Sequence, residues 1–160
     1  MESLNVGRSH FPALWWPLNL NLNSKLSTPG YSIPMWNGSD LDILRAMESC
    51  VFCRVAEGAA PAHILFADEE VVAFHDTAPR APVHVLVIPR RHIASLASTT
   101  ETDDRILGKL VLAAAEVARR TGIAETGYRI VANSGHGAGQ SVFHIHLHVL
   151  GGRPMGWPPG

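Results

Sequence analysis

Cysteine is scarce in this chain: there are two, Cys50 and Cys53, set in a single C-x-x-C. A secreted disulfide framework needs several bridges, so that class is excluded. The pair reads instead as half of a metal site or as a redox couple. An excess of one charge is also missing, with 13 Lys and Arg against 14 Asp and Glu. A general nucleic-acid binder carries a basic stripe or patch, so nucleic acid is not an expected partner. No apolar run is long enough to cross a bilayer, and a membrane is not expected either.

Acidic residues are nearly absent from the first 37 positions, where Glu2 stands alone. The same stretch is rich in Asn, Ser, Pro, Leu and Trp, and its basic residues are Arg8 and Lys25. Phe11–Pro17 has apolar mass but no steady period, and prolines interrupt it. Positions 1–46 therefore read as a disordered extension. A transit peptide is the sharper alternative, because such peptides avoid acidic residues. Untranslated sequence ahead of a start at Met47 is a third reading. The expected compartment is the cytoplasm, or an organelle in the transit-peptide case. Asp40–Met47 is expected to form a short helix with Ser39 as its cap.

With 160 residues, 46% of them hydrophobic, the chain can bury one substantial core. Val51–Glu57 reads as a short helix or turn ended by Gly58 and Pro61. His63–Ala67 and Val71–Phe74 read as strands joined by a turn at Asp68–Glu70. His84–Ile88 reads as an apolar strand stopped by Pro89. Ser98–Thr121 is the long helix. Ser98 and Glu101 resemble a capping box, with Thr100 or Thr102 as alternative starts. Ile106, Leu107, Leu110, Val111, Ala114, Val117 and Ala118 make its apolar stripe, and Gly122 suits the position after its end. Tyr128–Ala132 and Val142–Leu150 are further strands. The result is an α+β domain: a mainly antiparallel sheet with one long helix on one face.

His144, His146 and His148 alternate with Ile145, Leu147 and Val149. In a strand that spacing puts three imidazoles on one face and three apolar side chains on the other. The apolar side should meet the long helix, and the histidine side should look outward into a pocket. Imidazole is a nucleophile, a proton carrier and a metal ligand near neutral pH. Neighbours on one strand face stand about 7 Å apart, too far to converge on one zinc at about 2 Å, so three separate jobs are expected. The loop before them, Asn133–Ser141, is rich in glycine, whose freedom lets backbone N–H groups gather around an anion. Two histidines added to the C-x-x-C would complete a tetrahedral site. His92 and one of the three are candidates, although spacing does not choose among nine histidines. Asp76 sits after a strand, where a carboxylate either receives sugar hydroxyls or serves an ordinary turn.

His144-Ile145-His146-Leu147-His148-Val149-Leu150 resembles, without mismatch, the signature of the histidine triad (HIT) superfamily. Ala73–Asp76, Ala81–Pro89 and the ending Gly151–Gly160, with its Trp-Pro-Pro-Gly, are most similar to the Hint branch, the histidine triad nucleotide-binding proteins. The likeness covers residues from about 50 to 160, within a HIT domain placed at 47–160. It implies a HIT-like fold, and a homodimer whose sheets join into one. It also implies a purine nucleoside phosphoramidase that cleaves P–N bonds, with aminoacyl adenylates as related substrates and AMP and GMP as products. By position, His146 is the nucleophile that forms a nucleotidyl-histidine, His148 binds the phosphate, and His84 touches the phosphate or positions the nucleophile. Ser141 assists the leaving nitrogen. Asn133, Gly139, Gln140 and Ser141 match the phosphate-side loop, and Asp76 would hold the ribose. Val51, Phe52, Val55 and Phe74 would line the base slot, which Thr77 and Ala60 leave looser or more polar than in many relatives. Cys50, Cys53, His92 and His144 match a structural zinc site, and no organic cofactor is implied. A zinc-containing nucleotide- or partner-binding module with little turnover, and a dinucleoside polyphosphate hydrolase of the same superfamily, are the competing readings.

Overall fold

In the computed structural model, which describes residues 50–159, the sheet is five-stranded and antiparallel, in the order β1-β2-β3-β5-β4. The strands are β1 (Ile64–Ala67), β2 (Val71–His75), β3 (Val83–Pro89), β4 (Tyr128–Ala132) and β5 (Leu147–Gly151). A short helix, α1 (Val51–Ala56), opens the described region, and a long one, α2 (Asp104–Arg120), packs on the sheet. This is the expected α+β architecture. The extension at 1–46, the helix expected at Asp40–Met47 and the domain start at 47 lie outside the described residues.

β2 and β3 are apolar on both faces because both faces are covered. Val71, Ala73, Val85 and Val87, joined by Ile145, Leu147 and Val149, pack against Leu110, Ala113, Ala114, Val117 and Ala118 of α2. The alternate residues Val72, Phe74, Leu86 and Ile88 meet Phe52, Val55 and Ala56 of α1 on the opposite face. Period 2 in the strands and period 3.6 in the helix thus produce two cores, one on each side of the sheet.

The long helix is shorter than expected. It starts at Asp104, and two 3₁₀ turns, Leu96–Ser98 and Glu101–Asp103, precede it. Ser98 does not pair with Glu101. Its hydroxyl accepts from Ser95 N–H at 3.1 Å, while the Asp103 carboxylate accepts from Thr100 N–H at 2.8 Å. Each short polar side chain closes its own turn and so stops helix growth toward the N-terminus. The C-terminal end agrees with the sequence. Gly122 takes φ +74°, its N–H donates to Arg119 O, and Ile123 N–H donates to Ala118 O. That pair of bonds is a Schellman closure.

Two strand boundaries also move. Pro89 is the last residue of β3, paired with Val71, rather than the first residue after it. The histidine strand begins only at Leu147, not at Val142. Ahead of it Ile145 N–H donates to Ile93 O at 2.6 Å, a loop carbonyl outside the sheet, so the ladder cannot continue through His144–His146. At the other end of β5 a Cβ on Gly151 would overlap the Ile123 side chain, which would have to shift to admit it.

Candidate active site and metal centre

The three histidines of the motif take three different sets of partners. His144 is fully buried, with Nε2–H donating to Pro89 O at 2.8 Å and Nδ1 turned toward the cysteines. His146 donates from Nδ1 to the His144 carbonyl at 2.7 Å. A neutral imidazole with its proton on Nδ1 has a free lone pair on Nε2, so His146 is arranged as a nucleophile. His148 faces His84, with Nδ1 2.8 Å from His84 Nε2. The row is not the open face that the sequence suggests. The Phe52 ring of α1 lies edge-on against His144 and His146, at 6.1 and 5.2 Å between centroids. That helix roofs the site and leaves His146 only 5% exposed. His148 is half-buried.

A second observation fixes the direction of the protons. Arg80 N–H donates to His84 Nδ1 at 3.1 Å, so neutral His84 carries its proton on Nε2. That N–H faces His148 Nδ1 and, at 3.3 Å, an oxygen of Asp76. His148 then accepts at Nδ1 and carries its proton on Nε2, which is buried without a hydrogen-bond partner among the described residues. A buried donor left unpaired costs about 1–3 kcal/mol, and an anion's oxygen would relieve it. Burial, followed by neighbouring His146 and His84, lowers His148 to about 4. His84 is also lowered, chiefly by burial, with Asp76 opposing the shift. Both rings are therefore neutral donors at pH 7. Asp76, His84 and His148 bring ligand atoms within 4.8 Å of one another, but a cation on His84 Nε2 would move the proton to Nδ1, against the Arg80 N–H. The trio is an ordered hydrogen-bond chain and a poor metal site.

The other cluster has the opposite character. Cys50, Cys53, His92 and His144 also place their ligand atoms within 4.8 Å. Cys53 Sγ lies 3.2 Å from His92 Nδ1 and 3.5 Å from His144 Nδ1, and Cys50 Sγ lies 3.6 Å from His144 Nδ1. With Zn–S about 2.3 Å and Zn–N about 2.1 Å, a tetrahedral ion separates sulfur and nitrogen ligands by roughly 3.6 Å. The His144–Pro89 bond frees Nδ1 for such an ion, as an outer partner of a metal-bound histidine does. Burial, and next the neighbouring Cys50, push the Cys53 thiol up to about 12. A cation beside it would reverse that shift. Burial lowers His144 to about 4 and holds His92 below its usual range, which keeps both in the ligating form. The donor set, spacing and protonation fit a tetrahedral metal ion.

The glycine loop is braced from within. Gly135 and Gly139 adopt φ +86° and +82° around a 3₁₀ turn at His136–Ala138. The Gln140 side chain, 2% exposed, accepts from Gly135 N–H and donates to Ala94 O and Val142 O. Its amide holds the loop in shape. Ser141 is exposed beside Phe143, and Asn133 is half-buried at the end of β4. Phe52, Val55 and Phe74 pack together, with Phe52 and Phe74 edge-to-face at 5.6 Å, whereas Val51 is 45% exposed. Asp76 also accepts from Ala78 N–H at 2.7 Å, so it serves its turn as well as His84. Sequence reasoning missed the Arg80 N–H and the Pro89 and Ile93 carbonyls. Main-chain groups have no residue code of their own, and nothing in the side-chain pattern singles these three out.

The comparisons agree with this geometry. An uncharacterized HIT-like protein of Synechocystis is 46% identical over 113 residues, covering 71% of this chain and 98% of its own. A HIT family hydrolase from Legionella pneumophila shares 46% identity at a TM-score of 0.69, covering 70% of this chain and 100% of the other. A HIT family hydrolase from Clostridium thermocellum shares 49% identity at a TM-score of 0.67, over 68% and 95%. The HIT domain model matches residues 57–155, which contain the proton-ordered histidines and two of the four candidate metal ligands, and the chain belongs to the HIT domain family.

Proposed function

We propose that this protein is a hydrolase that cleaves the P–N bond of purine nucleoside 5′-phosphoramidates and related aminoacyl adenylates, by way of a nucleotidyl-histidine. The observation that carries the reading is the His146 hydrogen bond to the His144 carbonyl, which leaves Nε2 free to attack phosphorus. The P–N bond breaks and the nitrogen leaves as the amine. Water then attacks phosphorus, releases the nucleoside monophosphate and frees Nε2. Dividing one hard displacement into two easier ones is the value of the covalent step. The unpaired Nε2–H of His148 donates to a non-bridging phosphate oxygen, where charge grows in the transition state. Ser141 orients the leaving nitrogen, Asn133 and Gly139 face the phosphate, Asp76 receives the ribose, and Val51 with Phe52 and Phe74 borders the base.

In this reading Cys50, Cys53, His92 and His144 hold zinc, which cross-links α1 to the segment ahead of β5 and supplies no chemistry at phosphorus. The active form is a homodimer joined at the edge of β4, the outermost strand among the described residues, where Ile130 is 36% exposed. The test is turnover of an adenosine 5′-phosphoramidate. His146→Ala is expected to lower kcat by about 10³-fold or more, with a radiolabelled nucleotide trapped on wild type alone. Equal rates would overturn the assignment. Faster cleavage of diadenosine polyphosphate than of phosphoramidate would move the protein to the neighbouring branch.

A further inference from the structure

The backbone that carries His146 lacks the support of the sheet. The ladder pairs of β5 begin at Leu147, so His144, Ile145 and His146 lie outside them. Three links tie this stretch to the candidate metal centre. His146 Nδ1–H rests on the carbonyl of His144, whose ring is one of the four ligands. Phe52 stands between the two cysteines in sequence, and its ring meets both His144 and His146. His92 precedes Ile93, whose carbonyl takes the Ile145 N–H. Each ligand is therefore at most two residues from one of the nucleophile's own supports.

We infer that Cys50, Cys53, His92 and His144 are positioning residues for the hydrolysis. Gripping zinc, they hold the His144 carbonyl and the Phe52 ring in place, and these keep the His146 proton on Nδ1 and the Nε2 lone pair toward the phosphorus. The metal site thus does for this stretch what ladder hydrogen bonds do for β5. The kinetic part of the inference rests on the phosphoramidase reading; the structural part does not. A metal with a purely structural role would raise the melting temperature and leave the His146 ring unchanged in folded, metal-free protein.

The experiment uses the full chain, ¹⁵N-labelled at histidine, in zinc-loaded, chelator-stripped and reloaded forms, with a cobalt(II) form to report the site. Cobalt is expected to give the intense visible bands of a tetrahedral S₂N₂ centre. Stripping is expected to move the His146 ring nitrogens from a fixed Nδ1–H pattern toward an average of the two tautomers. Misplacing a reacting group by a fraction of an ångström to 1 Å is costly, so kcat should fall by about tenfold or more. KM should rise by less than kcat falls, because Phe52 also borders the base while the larger loss is of an interaction made in the transition state. Reloading restores both. If stripping unfolds the chain, zinc-loaded Phe52→Leu decides: it should shift the same ring nitrogens and lower kcat, and Phe52→Tyr should restore them. The inference fails if cobalt gives no tetrahedral bands, or if His146 keeps its pattern in folded stripped protein or in Phe52→Leu. Should wild type turn over no phosphoramidate while the ring nitrogens follow the metal, the function falls and the positioning role stands.

Discussion

On the side of the sheet facing α2, Val71, Val85, Val87 and Val149 are at most 1% exposed and meet Leu110, Ala114 and Val117 without a polar atom among them. On the side facing α1, the buried layer runs from Ile88 and Leu86 through Phe52 to His146 and His144. The first side is held by area and close packing, which are indifferent to pH and to hydrogen-bond direction. The second is held by a sequence of directed bonds, each fixing which nitrogen of the next ring bears a proton. A polar network of this kind is either fully satisfied or costly, and the free His148 Nε2–H marks where a ligand completes it. The two sides should therefore break in different ways.

The largest separation is expected from Leu110→Ala. Leu110 is 1% exposed in the α2 core, and emptying such a site costs about 3 kcal/mol, lowering the melting temperature by about 15 °C. Phosphoramidate turnover by the protein that remains folded should match wild type at 20 °C. A kcat that falls along with stability would show that the α2 side also sets the site.

Next is Gln140→Ala, which acts where the loop meets the site. It leaves Gly135 N–H and the Ala94 and Val142 carbonyls without their side-chain partner. Unpairing such buried groups costs about 2 kcal/mol, measured by urea unfolding. Gln140→Glu keeps the acceptor for Gly135 N–H but sets a buried carboxylate against the Ala94 and Val142 carbonyls, so it should be the less stable of the two variants. A glutamate variant as stable as wild type would mean that the donor side of the amide carries none of the brace.

How much of each side the sequence disclosed follows from the same difference. Leu110, Val117, Val85 and Val149 announce themselves through period, because burial on an apolar face depends on side chain alone. The five strands and the long helix were legible for that reason. The His-x-His-x-His run and the C-x-x-C pointed to the site, and the structure brings Cys50, Cys53, His92 and His144 together as the resemblance implied. What period could not disclose was the backbone between Val142 and His146. Strict alternation reads as strand, yet the His144 ring is drawn to Pro89 O and the cysteines, and Ile145 N–H to Ile93 O. The helix start failed likewise: Asp103, not Glu101, meets the capping N–H, and side-chain competition of this kind depends on the turn already formed.

Acid should expose the difference with the smallest effect and the clearest sign. Burial brings His148 from 6.5 to about 4 in the folded protein, while the unfolded chain keeps the ordinary value. Between those limits the unfolded state binds more protons, so stability rises with pH through the window and is lost as pH falls from 6.5 toward 4. The melting temperature should drop by on the order of 5 °C between pH 7 and pH 5. The same slope should appear in Leu110→Ala, displaced downward as a whole, because the α2 core holds no group that titrates there. His148→Asn should flatten it, since the replacement keeps a polar side chain but removes the proton that burial refuses. A melting temperature level from pH 7 to pH 5 in wild type, or an unchanged slope in His148→Asn, would mean that the histidine side is not held by neutral, directed rings, and the contrast between the two sides would be lost.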